Sequence, residues 1–202
     1  MQDLETLVKG AAKAHGHLCP GQVVGVRMAM LGCRLIGLDN PSSHEQIKKI
    51  IVYVEMDRCA TDAISHVTGV KLGRRSLKFI DNGIMAATFV NLETKKAFRI
   101  VSTESARDLA AALAPGIQDP RQQQLDAYKI MDETDLFDIT EVRVNVPASD
   151  FPGPTRFKAV CDNCGQVVRD KREVLKNNQI LCRPCATGSY FEPVKGDPHG
   201  QK

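Results

Sequence analysis

Three things are scarce in this sequence: charge of one sign, long apolar runs, and anything resembling a leader. Over 202 residues the formal net charge is only +3, too small by itself to call for a polyanionic partner. The longest mostly apolar stretch, Val23 to Leu38, is broken by Arg27 and Arg34. It falls short of the roughly 20 residues that a bilayer span requires, so no membrane partner is expected. The opening MQDLETLVKG carries acidic residues and lacks the basic start and apolar core of a signal peptide. This predicts retention in the cytoplasm, where thiols stay mostly reduced.

What is present suits a folded protein. With 43% hydrophobic and 25% charged residues, neither wholesale disorder nor a fibrous repeat is indicated. The length allows one sizeable core and a small appended module. The charge is unevenly spread: residues 156–202 hold 9 Lys+Arg against 5 Asp+Glu, leaving the rest of the chain at a formal −1. Any basic surface therefore belongs to the C-terminal piece.

Apolar spacing predicts a helix over Leu4 to Ala14, ended by Gly16, and a second, buried one over Gln22 to Leu38 with Pro20 at its first position. Gly21, Gly25, Ala29 and Gly32 make a small-residue stripe along that second helix, where another backbone can approach. IIVYVEMD (50–57) has the β-branched pattern of an inner strand, and CATDAISHVTG after it reads as a third helix closed by Gly69. SLKFID and IMAATFVN, separated by Asn82-Gly83, read as a hairpin with a tight turn. KAFRIVS is a further strand, helices follow at about 104–113 and 120–131, and DITEVRVNV is the last strand. Strands outnumber β-α-β units, so the fold class expected is α+β with a mainly antiparallel sheet packed with helices. The division expected is a core over 1–146, a linker over 147–157, a four-cysteine module over 158–192 and a flexible tail over 193–202.

Cys161-x2-Cys164 and Cys182-x2-Cys185, 17 residues apart, have the spacing of a structural zinc site. Asn163 and Gly165 suit a knuckle that folds back so that its N–H groups point at the sulfurs. Four thiolates close a tetrahedral shell, which leaves no open position and makes such a zinc structural. So small a module would draw most of its folding free energy from the metal.

Three cysteines remain. Cys33 lies inside the apolar second helix and reads as a small buried hydrophobe. Cys19 and Cys59 each fall at a predicted helix start, where unpaired N–H groups favour a thiolate. His17 and Cys19 are two apart on a turn, His15 is a second imidazole within reach, and Asp62 lies one turn into the helix that Cys59 opens. Together they describe either a transition-metal site with an incomplete shell, or a helix cap with a packed thiol and solvent-facing histidines.

HGHLCPGQVVGVRMAM followed by EMDRCATDAISHVTGVKLGRRSLKFIDNGIMAATF resembles the FmdE family, named for one of the subunits of formylmethanofuran dehydrogenase. The similarity covers about residues 8 to 145. The later four-cysteine module resembles the treble-clef-type zinc finger that some members carry. The resemblance implies an α+β core, a homodimer, and an active-site groove lined by residues matching His17, Cys19 and Cys59; the residue types themselves add Asp62 beside them and a second transition metal in the core. It also implies redox-enzyme partner subunits and a small-molecule ligand. Nothing in the chain resembles a pterin-binding sequence or an iron–sulfur array. Arg74, Arg75 and Lys78 belong to a basic, glycine-punctuated stretch able to contact an anionic ligand, although a solvated strand edge is the more frequent role of such residues.

The function expected is that of an accessory or metal-dependent protein of one-carbon redox metabolism. A second reading is an adaptor whose Arg169, Lys171, Arg172, Lys176 and Arg183 meet nucleic acid or a protein. Four thiolates around Zn2+ reduce the module's formal +4 to +2, and no aromatics are interleaved with its cations, so phosphate binding is weakly supported. A third is thiol redox work by Cys19 and Cys59.

Overall fold

The computed structural model describes residues 1–192 and 194. Apart from residue 194, the tail expected over 193–202 lies outside the described residues. The chain divides into two compact units, Met1–Asn145 and Val146–Lys202.

In the first unit, α1 (Leu4–His15) begins where Asp3 accepts a hydrogen bond from Thr6 N–H and ends at Gly16 in the left-handed region. The next helix, α2 (Pro20–Leu35), starts from Cys19 with proline at its first position. The inner strand β1 (Ile50–Val54) leads into α3 (Cys59–Thr68), which Gly69 closes at φ 73°. After a single 3-10 turn, Leu72–Arg74, come β2 (Leu77–Phe79), β3 (Ala86–Asn91) and β4 (Ala97–Ser102). Helices α4 (Ser105–Leu113), α5 (Pro120–Ile130) and α6 (Glu133–Leu136) precede β5 (Phe137–Glu141).

The sheet order is β2-β1-β3-β4-β5, with one parallel pair, β1–β2, and antiparallel pairs elsewhere. The α+β class with a mainly antiparallel sheet is therefore the one observed. Val52, Val54, Leu77, Ala87, Phe89 and Ile100 share one core with the apolar faces of the helices. Arg27, within the apolar α2, donates to the carbonyls of Tyr128 (2.7 Å) and Met131 (2.5 Å), which satisfies the C-terminal end of α5.

The hairpin expected across Asn82-Gly83 does not form. β1 lies between β2 and β3, and the connecting loop crosses the end of β1: Ile80 N–H donates to Val54 O, and Ile84 N–H to Glu55 O. A two-residue turn of the expected type needs positive φ at both central residues. Only Gly83 (φ 66°) has it. The Asn82 side chain instead donates to the buried Glu55 carboxylate, which Arg99 grips with two hydrogen bonds of 2.7 and 2.9 Å. The last strand is also shorter than expected, because its partner β4 begins at Ala97 and the ladder ends there.

The small-residue stripe is used inside the chain. A Cβ on Gly25 would lie 2.6 Å from Ala60 O, and one on Gly32 would lie 2.3 Å from the Phe89 ring. These glycines let α2 press against α3 and β3, and Gly25, Ala29 and Gly32 are buried within the chain.

In the second unit, a 3-10 turn at Ala148–Asp150 places Asp150 against Arg172. Two hairpins follow, β6 (Lys158–Val160) with β7 (Val167–Arg169) and β8 (Val174–Lys176) with β9 (Gln179–Leu181), then α7 (Arg183–Thr187). Asn177 and Asn178, at φ 50° and 62°, form the tight turn between β8 and β9 that their short polar side chains tolerate. Knuckle, hairpin and helix in this order are the treble-clef arrangement.

Candidate functional site

The four-cysteine cluster is built by local chain geometry. Gly165 takes φ 71°, which lets the chain after Cys161 fold back: Gly165 N–H donates to Cys161 O and Cys161 N–H to Gln166 O. Asp162 joins the two halves, its N–H donating to Ile180 O and its carboxylate accepting from Ile180 N–H. Cys182 and Cys185 sit at the start and in the first turn of α7. All four sulfurs lie within 4.8 Å of one another.

Cys164 Sγ and Cys182 Sγ are 3.7 Å apart. That is far beyond a disulfide bond of about 2.05 Å, but it matches the edge of about 3.8 Å of a tetrahedron with metal–sulfur bonds of ~2.3 Å. Backbone N–H groups, that of Cys182 first, stabilise the Cys161 thiolate and pull it down to about 6. Donation from Cys185 N–H lowers Cys182, but burial and hydrogen bonds with the other thiols outweigh it and push Cys182 up to about 12. One thiolate is thus ready at neutral pH, and others must lose protons to a metal. The cluster's apolar surroundings are few, Leu181 and Ala186 with Val168 and Val174, so the donor set suits a metal that holds the unit together.

Several cations of this unit are already engaged. Lys171 lies over the Phe157 ring at 4.6 Å, Arg172 pairs with Asp150, and Lys176 donates to Ala186 O at the end of α7. Their use in internal contacts weakens the case for a phosphate-binding face.

The first unit holds a second group of donors where α1 turns into α2. His15 is the last residue of α1, Gly16 reverses the chain at φ 100°, and Cys19 is the residue from which α2 starts. The turn brings His15, His17 and Cys19 ligand atoms within 4.8 Å of one another. The two imidazole rings are 4.7 Å apart. Cys19 is buried, His15 half-buried and His17 exposed, so the group opens to solvent on one side. Arg121 supports the turn by donating to Leu18 O at 3.0 Å.

Asp62, in the first turn of α3, accepts from His15 Nδ1 at 2.8 Å. With Nδ1–H so engaged, the lone pair of Nε2 is left for a ligand. Cys59 stands beside Cys19 and outside that tight group. Burial first, then the hydrogen bond with Cys19, holds its thiol above the usual range. The structure therefore brings His15 into the place that the family resemblance gave to Cys59, and it uses Asp62 to orient an imidazole.

Gln22 was missed by sequence reasoning. It is fully buried at the head of α2, its Nε2 donates to Cys59 O at 2.6 Å, and its Oε1 has no partner among the described residues. The signal available was a polar residue at the start of an otherwise apolar helix. Cys33 is buried, and burial pushes its thiol up to about 12, consistent with an inert packing residue.

Arg74 and Lys78 are not brought to this group. Arg74 follows the C-terminal end of α3, about 15 Å of helix from Cys59 at 1.5 Å per residue. Lys78 pairs with Tyr53 across β1 and β2, on the sheet face opposite Val52 and Val54.

Comparison with known proteins agrees with this architecture. A curated protein of Archaeoglobus fulgidus described as "Probable S-adenosyl-L-methionine-binding protein" is 33% identical over 206 residues, covering 95% of this chain and 55% of the relative. The chain thus spans about half the length of that relative. A tungsten formylmethanofuran dehydrogenase FmdE-like protein from Syntrophus aciditrophicus superposes with a TM-score of 0.60 at 16% identity, covering 95% of this chain and 96% of that one. At that identity the likeness concerns the fold. The family described as "FmdE, Molybdenum formylmethanofuran dehydrogenase operon" matches residues 14–138, a span that holds His15, His17, Cys19, Cys59 and Asp62 on the sheet and helices described above, and the chain belongs to the FmdE family.

Proposed function

We propose that this protein holds two metal ions of different kinds: a structural zinc on Cys161, Cys164, Cys182 and Cys185, and an open transition-metal centre on His15, His17 and Cys19. The carrying observation for the second is three borderline-soft donors converging from one turn, with a carboxylate behind His15. This is the arrangement by which proteins fix the tautomer and basicity of a ligating imidazole. Three protein ligands leave a position for water or a small molecule. A metal bound there would supply a Lewis acid to that molecule. In this reading His15 is held by Asp62, Cys19 is fixed by the start of α2 and keeps water off its own sulfur by burial, and the exposed His17 borders the entrance.

The substrate class rests on the family: a small molecule of one-carbon, formylmethanofuran-type redox metabolism, with this chain as a metal-dependent or accessory member. Partner subunits of a redox enzyme, a homodimer and a cytoplasmic location belong to the same reading. An S-adenosyl-L-methionine ligand is the alternative that the Archaeoglobus relative's description suggests.

The test is metal analysis of purified wild type and single variants. Wild type should carry up to two ions per chain, Cys164→Ser should lose only the finger zinc, and Cys19→Ala or His15→Ala should lose only the core ion. The same metal content in wild type, Cys19→Ala and His15→Ala would remove the core centre from the proposal.

A further inference from the structure

The core donors include one sulfur with two possible partners. Cys19 Sγ belongs to the His15–His17–Cys19 group, and the same sulfur borders the small space beside Gly21 that Cys59 Cβ lines from the other side. The two cysteines are forty residues apart in sequence, on the starts of two helices that pack closely. Gly21 keeps the space between them free: a Cβ there would lie 3.2 Å from Cys59 Cβ and 3.8 Å from Cys19 Sγ. Cys59 is half-exposed while Cys19 is buried, so an oxidant from solution meets Cys59 first.

We propose that Cys19 and Cys59 form a reversible disulfide that competes with metal for the Cys19 sulfur, so that oxidation empties the core centre and bound metal blocks oxidation. The disulfide itself rests on the placement of the two thiols; its coupling to metal rests on the reading of His15, His17 and Cys19 as a metal site.

The oxidant is a low-molecular-weight disulfide, RSSR. Cys59, having given its proton to solvent, attacks one sulfur of RSSR; the S–S bond breaks and one RS− leaves, to be protonated as RSH. Cys19, also deprotonated, then attacks Cys59 Sγ in the mixed disulfide and expels the second RS−, again protonated to RSH. Two cysteine thiols have lost two electrons, RSSR has gained them as two RSH, and the protons balance. Cys19 in the disulfide is no longer a thiolate donor, which leaves two imidazoles, too few to hold the ion against water. Excess thiol reverses both steps.

The experiment uses the full chain, with the finger cysteines metal-loaded and the core either stripped or supplied with Zn2+, exposed to oxidised glutathione. Free thiols are alkylated and the cross-linked peptides are mapped by mass spectrometry. Stripped protein should yield a peptide linking Cys19 to Cys59, and core-loaded protein should form it at least about tenfold more slowly. Cys19→Ala should stop at a glutathione adduct on Cys59. Retention of both thiols in stripped wild type would overturn the disulfide, and equal rates with and without core metal would overturn the coupling. A wild type that takes up no Zn2+ beyond the finger's, yet forms the Cys19–Cys59 peptide, would refute the metal centre and the coupling while upholding the disulfide, so the two failures are told apart.

Discussion

Replacing Gly25 with alanine puts a methyl group at the closest approach of α2 to α3. The added Cβ would lie 2.6 Å from Ala60 O, 2.7 Å from Ala60 Cα and 2.8 Å from Ala63 Cβ. The first of these is about 0.9 Å inside the ~3.5 Å at which non-bonded contacts become attractive. Two of the three atoms are α3 backbone, so no side-chain rotation relieves the overlap and the helices must part. Overpacking of this kind costs about 1–3 kcal/mol, and rigid backbone contacts belong to the upper part of that range. Alanine's better helix propensity offsets about 1 kcal/mol. The net expectation is a destabilisation of about 1–2 kcal/mol, which with a urea m-value of about 2 kcal/mol/M lowers the midpoint by roughly 0.5–1 M. Gly73, with nothing within 4 Å of a built Cβ and no positive φ, is the control: Gly73→Ala should leave the midpoint unchanged or slightly raised. Because α3 carries Cys59, Gly25→Ala should also slow the Cys19–Cys59 cross-link. A Gly25→Ala midpoint equal to or above that of wild type would refute the view that close helix packing sets the site.

Asp62→Asn should weaken metal binding at the core by roughly 10–100-fold and leave the finger metal in place, because it removes the carboxylate that holds His15 Nδ1; titration with Zn2+ monitored by competition with a chromophoric chelator reads both. Glu55→Gln should cost about 2–3 kcal/mol, less than a fully buried ion pair, since the Arg99 side chain is 33% exposed against 9% for Glu55. Arg99, more than Asn82, holds the Glu55 carboxyl below its ordinary 4.5. This contribution is therefore full above about 4.5 and is lost as pH falls through the lowered native value. The acid limb of a stability–pH curve should flatten in Glu55→Gln, and an unchanged limb would remove Glu55 from acid denaturation. Zinc uptake by the finger should release protons at pH 7, from Cys182 and Cys164 more than from Cys161, whose thiol already titrates at about 6. Affinity should fall as pH drops, and zinc uptake with no proton release in weakly buffered solution would contradict that assignment.

Features set by neighbouring residues were legible in the sequence. Gly69 and Gly16 end helices because left-handed φ is local; Asn177-Asn178 turns two strands for the same reason; and Cys-x2-Cys pairs converge because a knuckle is four residues long. What was not legible depends on partners far along the chain. Asn82-Gly83 carries a hairpin signal, yet Ile80 and Ile84 hydrogen-bond to β1, and β1 takes β2 and β3 on its two sides. No local pattern encodes that choice. The His15–His17–Cys19 group was half legible: spacing placed His17 beside Cys19, but His15 enters it facing Asp62, 47 residues on, through the packing of α1 against α3. The same packing decides where Cys59 goes. Gly21 and Gly25 have no chemistry of their own, but their missing side chains allow α3 to approach until Cys59 reaches Cys19, and Gln22 pins that position by donating to Cys59 O. The two sulfurs are therefore set by glycines in the preceding helix, which is why a search confined to cysteine and histidine spacing finds the donors and misses what arranges them.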